Sequence, residues 1–264
     1  MIPYEPHPIL VNLPNPLRLF LPHVGDIAIR YYSLAYLIGF LLTYYWLRRK
    51  YGAQRAEDAV LYVALATIVG GRLGEFIFYS PQTFWTDPLE ILKIYHGGMS
   101  FHGAFIALCA TLYWYTKKHR ISFLEFSDTV IIPATAGIIL GRIANFLNGE
   151  LVGTQTSVPW CMEFPGYSGC RHPSQLYEAI YTLITLGVLL LVYRKGKKTV
   201  FTPGFLTVIF ITLYGVLRLL ANFLRDDPTF FALSTGQWLS LCMALIGAYL
   251  LGTNYKKSLT KLFQ

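Results

Sequence analysis

Charged side chains are scarce in this chain. They make up 14% of its 264 residues, where a soluble domain usually carries about 25%. The deficit points to lipid as the main solvent, and the 54% hydrophobic content and mean hydropathy of +0.45 agree. Cysteine is sparse as well, at four residues, and their spacing matches no metal-binding pattern. Cys109 and Cys242 sit in apolar runs and read as small packing residues. Cys161 and Cys170 share one polar loop and are free to pair if that loop faces an oxidising compartment. The sequence has no internal repeat, low-complexity tract or long linker. It also lacks a basic, aromatic-interleaved motif, so the net charge of +8 is not read as a nucleic-acid footprint. The opening MIPYEPHPILVNLPNP carries prolines and an acid where a cleaved signal peptide needs an apolar run. The first span is therefore expected to act as the insertion signal.

Against these absences stand seven apolar stretches, at about 32–47, 59–79, 99–115, 127–147, 175–193, 203–224 and 236–252. Each approaches the roughly 20 residues a helix needs to cross the hydrocarbon. Helices are expected because backbone groups in lipid must be satisfied within the segment. The predicted fold is all-α: one integral membrane domain over residues 1–264, with outer elements at 1–30, 80–98 and 148–174. Pro88–Tyr95 has apolar residues at helical spacing and is expected to lie along the outer surface.

Basic residues set the orientation. Arg48, Arg49, Lys50 and Arg55 follow the first stretch, and Lys117, Lys118 and Arg120 the third. Arg194, Lys195, Lys197 and Lys198 follow the fifth, and Lys256, Lys257 and Lys261 the seventh. The opposite side holds only Arg18, Arg30, Lys93 and Arg171. Since Lys and Arg collect on the cytoplasmic side, the C-terminus is expected inside and the N-terminus outside, in the periplasm.

Four arginines remain, at or within the spans, where each costs at least about 2.5–3.5 kcal/mol to insert. Arg72 in GGRLGEF has Glu75 three residues on, one helical turn away, so the two either neutralise each other or serve a site. Arg142 in GRIANFLNGELVG has no acid one turn away; Asn145 shares its face, and Gly137 and Gly141 form a small-residue seam before it. Anion binding is the favoured reading for Arg142. Tyr214, Arg218, Asn222 and Arg225 fall on one arc of roughly 80° at 100° per residue, a polar stripe expected to face a cavity. HGGMSFHGA places His102 near the start of the third span, and histidine is the residue type whose ordinary titration range suits a general base. In RHPSQLYEA, Ser174 is a candidate helix cap, and Gln175 and Glu178 share a face as scaffold or as part of a site mouth.

The segments GGRLGEFIFY, GGMSFHGA, GRIANFLNGELVG, PWCMEFP, RHPSQLYEA and YGVLRLLANFLRDDP occur in that order. Together, from about Tyr31 to Pro228, they resemble the prolipoprotein diacylglyceryl transferases. The resemblance implies a multi-pass enzyme of the bacterial inner membrane. Such an enzyme moves the diacylglyceryl group of phosphatidylglycerol to the lipobox cysteine thiol of a preprolipoprotein, leaving a thioether and glycerol 1-phosphate. It implies His102 as base or positioning residue, with Arg142, Tyr214 and Arg218 as further catalytic residues. It implies Arg142, Asn145, Asn148, Glu150, Gly153, Arg218 and Arg225 as contacts for phosphatidylglycerol. No metal or cofactor is expected. The family usually has glutamate where this chain has Asn222 and often an aromatic where it has Glu75. It typically shows R-x-P where this chain has Arg225-Asp226-Asp227-Pro228. The alternatives are a transporter or channel for an organic anion, or a lipid-binding relative without catalysis.

Overall fold

The computed structural model describes residues 2–13, 27–93, 98–196, 199 and 201–264. The helices are α1 (Tyr31–Tyr51), α2 (Ala53–Phe78), α3 (Pro81–Thr86), α4 (Phe101–Lys118), α5 (Phe123–Asn148), α6 (Ser174–Gly196), α7 (Phe205–Ala221), α8 (Thr235–Gly252) and α9 (Lys256–Leu262). Short strands lie between them: β1 (Ile2–Pro3), β2 (Ile9–Leu13), β3 (Ile27–Arg30), β4 (Met162–Glu163), β5 (Cys170–Arg171), β6 (Thr229–Phe230) and β7 (Leu233–Ser234).

Among the described residues, five helices are long and apolar enough to cross a membrane: α2, α5, α6, the run Phe205–Leu224 that includes α7, and α8. The chain is thus mostly helical and polytopic. The remaining two expected spans fall on α1 and α4. Basic residues in their last turns, Arg48, Arg49 and Lys50 in α1 and Lys117 and Lys118 in α4, dilute their apolar length. Arg18, Lys197, Lys198 and the His96–Gly97 part of HGGMSFHGA lie outside the described residues.

The chain forms two compact units, Phe40–Val130 on one hand and Met1–Gly39 with Ile131–Gln264 on the other. In the first unit, α2 packs on α4 through glycines. A methyl group on Gly74 would fall 2.5 Å from the Gly103 Cα, and one on Gly103 would overlap the Gly70 carbonyl. Only Gly lets two helices approach this closely. Leu47, Ala56, Ala59, Tyr115 and Phe126 form the core of this unit, and the Tyr115 hydroxyl donates to the Arg55 carbonyl at 2.7 Å. A 3-10 turn at Pro88–Leu92 leaves Leu89 and Leu92 exposed.

In the second unit, α7 lies between α6 and α8. Gly215 of α7 meets the α8 backbone, where a methyl would fall 2.8 Å from Ala244 N. Gly137 of α5 faces Gly39, each methyl position within 3.8 Å of the other Cα, whereas Gly141 meets nothing within 4 Å. The expected small-residue seam is therefore used at one of its two glycines. β1 pairs in parallel with β4, and β4 antiparallel with β5. Cys161 and Cys170 form a disulfide across this small sheet, with Cα atoms 5.5 Å apart. Helix α6 is polar within and apolar without: Ser174, Gln175, Glu178, Thr182 and Thr185 are buried, while Ile180, Leu183, Ile184 and Leu191 are exposed. That inversion suits lipid, which charges no penalty for an exposed leucine.

Candidate functional site

Polar residues of the second unit converge on the ends of α5, α6 and α7. Glu178, one turn into α6, is 1% exposed. Its Oε1 accepts from Arg225 Nη1 at 3.0 Å. Its Oε2 faces Arg142 Nε at 2.9 Å, an ion contact off the N–H axis. The acid that answers Arg142 thus comes from another helix, which local spacing did not disclose. Arg225 also donates to Asp227 at 2.8 Å. Burial works against the Arg225 charge, but Glu178 and Asp227 outweigh it and raise its pKa.

Arg142 Nη1 donates to Asn145 Oδ1 at 3.2 Å. Asn145 Nδ2 in turn donates to Glu150 at 3.0 Å and to the Tyr32 hydroxyl. Tyr32 donates to Glu150, and Asn148 Nδ2 adds a bond to the same oxygen at 3.3 Å. Arg142, Asn145, Asn148 and Glu150 are therefore brought together, with their side chains largely holding one another. Gln175 Nε2 ties α6 to this group through the Glu150 carbonyl at 2.5 Å. Tyr32 and Glu178 are the members that sequence reading missed or left undecided. The sequence separation of Tyr32 from Glu150 hides the contact.

Gly153 acts through its backbone. It pairs with Arg225 in an isolated bridge, and a methyl there would fall 2.5 Å from the Leu224 carbonyl oxygen and 2.6 Å from His172 Cβ. Arg171, read only as an outer basic residue, is buried; it donates to the Gly153 carbonyl at 3.1 Å and to Asp226 at 2.6 Å. Burial lowers the His172 pKa, and its Nδ1 lies 3.1 Å from the Tyr177 hydroxyl. Ser174 is the first residue of α6, not its cap, and its hydroxyl donates to the Leu151 carbonyl at 2.8 Å.

The polar stripe on α7 holds for three of its four members. Arg218 Nη1 donates to the Tyr214 hydroxyl at 2.9 Å, and Asn222 follows one turn on. After Ala221 the chain tightens into a 3-10 turn, and Arg225 is extended at φ −96, ψ 148. Arg225 reaches Glu178 from this loop, not along a helical face. Buried polar atoms without a hydrogen-bond partner gather in this same unit: Asn148 Oδ1, Gln175 Oε1, both amide atoms of Asn222 and Arg225 Nε. Such atoms are rare in folded proteins, and these lie on or beside the residues of the arginine cluster.

In the first unit, His102 is the second residue of α4 and is exposed. Its Nδ1 lies 3.0 Å from the Tyr79 hydroxyl of α2. Ser100 caps α4, its hydroxyl accepting from Gly103 N at 3.1 Å. Arg72 is 6% exposed, and Glu90 lies 3.7 Å from it. It donates to the carbonyls of Glu90 at 2.5 Å, Lys93 at 3.0 Å, Ile91 at 3.1 Å and Gly98 at 3.2 Å. Arg72 and Glu75 both border Gly98. The carbonyl contacts make Arg72 a clamp on the backbone from Glu90 to Lys93 and at Gly98. A cavity of about 220 Å³ beside it is lined by Arg72, Glu75, Ser80, Thr83 and Glu90 among others. Among the described residues, no group of His, Cys, Asp and Glu is placed to hold a metal ion.

The sequence pattern of the prolipoprotein diacylglyceryl transferases matches residues 20–253. A phosphatidylglycerol–prolipoprotein diacylglyceryl transferase of Cupriavidus metallidurans is 37% identical over 252 residues, covering 89% of this chain and 92% of its own length. One so named from Bordetella parapertussis is 39% identical over 240 residues, covering 85% and 90%. Another, from Rickettsia africae, is 38% identical over 241 residues, covering 86% and 93%. Motif order, the buried arginine cluster and similarity across most of the chain lead to one conclusion: the chain belongs to the prolipoprotein diacylglyceryl transferase family.

Proposed function

We propose that this protein transfers the diacylglyceryl group of phosphatidylglycerol to the lipobox cysteine thiol of a preprolipoprotein. It does so as a seven-span protein of the bacterial inner membrane, with its N-terminus periplasmic and its C-terminus cytoplasmic. The whole chain acts as one integral membrane domain. The basic last turns of α1, α4 and α6 and the lysines of α9 support that orientation.

One observation carries the chemical reading. Arg142, Arg218 and Arg225 gather in one unit around a single fully buried carboxylate, Glu178. Arg218 is held by the Tyr214 hydroxyl, and its planar guanidinium suits a phosphate. In the reaction the thiolate sulfur attacks a glyceryl carbon, the carbon–sulfur bond forms and the bond to the phosphate oxygen breaks. Glycerol 1-phosphate leaves with the bonding electrons. The arginines stabilise the charge that develops on that leaving group, an effect largest where water is excluded. Arginine suits the task because its planar fork matches phosphate oxygens. The thiol, with an ordinary pKa near 8.5, must first lose its proton. His102 is the base assigned to that step, its ring oriented by Tyr79. Asn145, Asn148, Glu150 and Gly153 hold the arginine cluster in shape.

The test is purified protein with phosphatidylglycerol and a lipobox peptide. The expected result is a diacylglyceryl mass gained on the cysteine. Folded protein that leaves the peptide unchanged overturns the reading. Full activity in His102→Ala overturns the base assignment alone.

A further inference from the structure

The run Phe205–Leu224 and helix α8 are joined by the β6–β7 hairpin, which pairs Thr229 with Ser234 and Phe230 with Leu233. Its two-residue turn is Phe231-Ala232, with φ of 49° and 64°. A turn of this hand is ordinarily made by Asn-Gly or Gly-Gly, because a larger side chain in the left-handed region crowds its own backbone. Phenylalanine is a poor choice for the turn itself, so its presence there points to a contact made by the ring.

The root of the hairpin is fixed from several directions. Before it, Asp226 accepts from Arg171 at 2.6 Å and Asp227 from Arg225 at 2.8 Å. After it, Ser234 and Gln237 cap α8 reciprocally, at 3.2 and 2.8 Å. Trp238 Nε1 donates to the Phe230 carbonyl at 3.0 Å and ties the first turn of α8 to the tip. The tip is thus held in place while its rings stay bare. Phe230 is 68% and Phe231 79% exposed, the two rings edge to face at 4.4 Å. Phe223 at the end of one apolar run and Trp238 and Leu239 at the start of the next are exposed as well. The apolar surface of the tip therefore continues the lipid-facing surface of the spans it joins.

The depth of the tip follows from its backbone. Open carbonyls and N–H groups find no partner in the hydrocarbon core, so a hairpin turn stays at the boundary. Apolar side chains reach below the headgroups from that position. Tryptophan collects at the same level, and Trp238 is the residue that grips the tip.

We propose that the Phe230-Phe231 tip is a wedge seated in the membrane interface, an anchor for the loop that carries Arg225. Its partner is the lipid surface and not a protein segment. The turn residues are then explained by the rings they present, at the cost of a strained backbone.

The test is a nitroxide label at Phe231→Cys in the full chain, in phosphatidylcholine bilayers. The free Cys109 and Cys242 are replaced by alanine, and the Cys161–Cys170 bridge is kept. Collisions with oxygen and with a water-soluble nickel chelate give the depth of the label. The expected depth is about 5–10 Å below the headgroup surface. Phe230→Cys lies on a strand, needs no left-handed backbone, and covers the case in which Phe231→Cys does not fold. A label in bulk water overturns the proposal. A label that leaves water only when a lipobox peptide is added marks a peptide dock and overturns the lipid assignment. Phe231→Asp tests the anchoring itself: a label at Phe230→Cys is expected to move several ångström toward water. Unchanged depth there shows that the spans place the hairpin without the ring and overturns the anchor. None of these readings uses transfer activity, so the wedge stands or falls apart from the transferase reading.

Discussion

Glu178 Oε2 lies 2.9 Å from Arg142 Nε, while the other oxygen of the same carboxylate accepts from Arg225 at 3.0 Å. One buried acid thus joins an arginine held on a helix to one held in a loop. Removing one partner of a buried pair leaves the other charge uncompensated, at about 3–5 kcal/mol. Glu178→Ala is expected to lower thermal stability in detergent by about that much. Glu178→Gln, which keeps the shape and an acceptor, is expected to lose less stability but most of the transferase activity. A Glu178→Gln protein with wild-type kcat/KM would contradict this.

Tyr32 reaches Glu150 and Asn145 from the start of α1. Tyr32→Phe removes only the hydroxyl. A hydrogen bond to a charged group is worth about 1.5–3 kcal/mol, so kcat/KM is expected to fall by about 10- to 100-fold. Initial rates with a lipobox peptide check this, and a less than twofold fall would show that Tyr32 only packs.

Arg72 binds the carbonyls of Glu90, Ile91, Lys93 and Gly98. Lysine keeps the charge but lacks the planar fork that spans them. Arg72→Lys is expected to cost about 2–4 kcal/mol in stability by stranding buried carbonyls. Faster tryptic cleavage at Lys93 is the accompanying sign. Loss of substrate affinity with full stability would instead place Arg72 at a site.

The Cys161–Cys170 disulfide closes a short loop, with a sequence separation of 9. The chain-entropy relation assigns it about 2.7 kcal/mol. Replacing both cysteines by serine is expected to lower the melting temperature accordingly and to loosen neighbouring Arg171. Alkylation with mass spectrometry before and after reduction checks the bridge itself.

Much of the fold was legible in the sequence. The apolar runs predict the helix positions to within a few residues, and α2, α5, α6, α7 and α8 follow from hydropathy because lipid rewards apolar length directly. Arg218 over Tyr214 was legible too, since i and i+4 are neighbours on any helix. Arg142 was harder. Its spacing showed no local acid, yet Glu178 answers it from α6. Arg72, which the sequence left between a Glu75 pair and a site, holds four carbonyls that no side-chain pattern encodes.

By itself the sequence determined the membrane class and the helices, because composition and periodicity act over neighbouring residues, and its ordered motifs pointed to the family. Tertiary structure alone decided that Glu178 bridges Arg142 and Arg225 and that Tyr32 joins Glu150. Those contacts depend on how helices cross, and the glycines that set the crossings announce a close approach without naming the partner. Arg225 shows both halves at once. Its charge was plain from the sequence, but the 3-10 turn before it, not the helical arc, delivers it to Glu178.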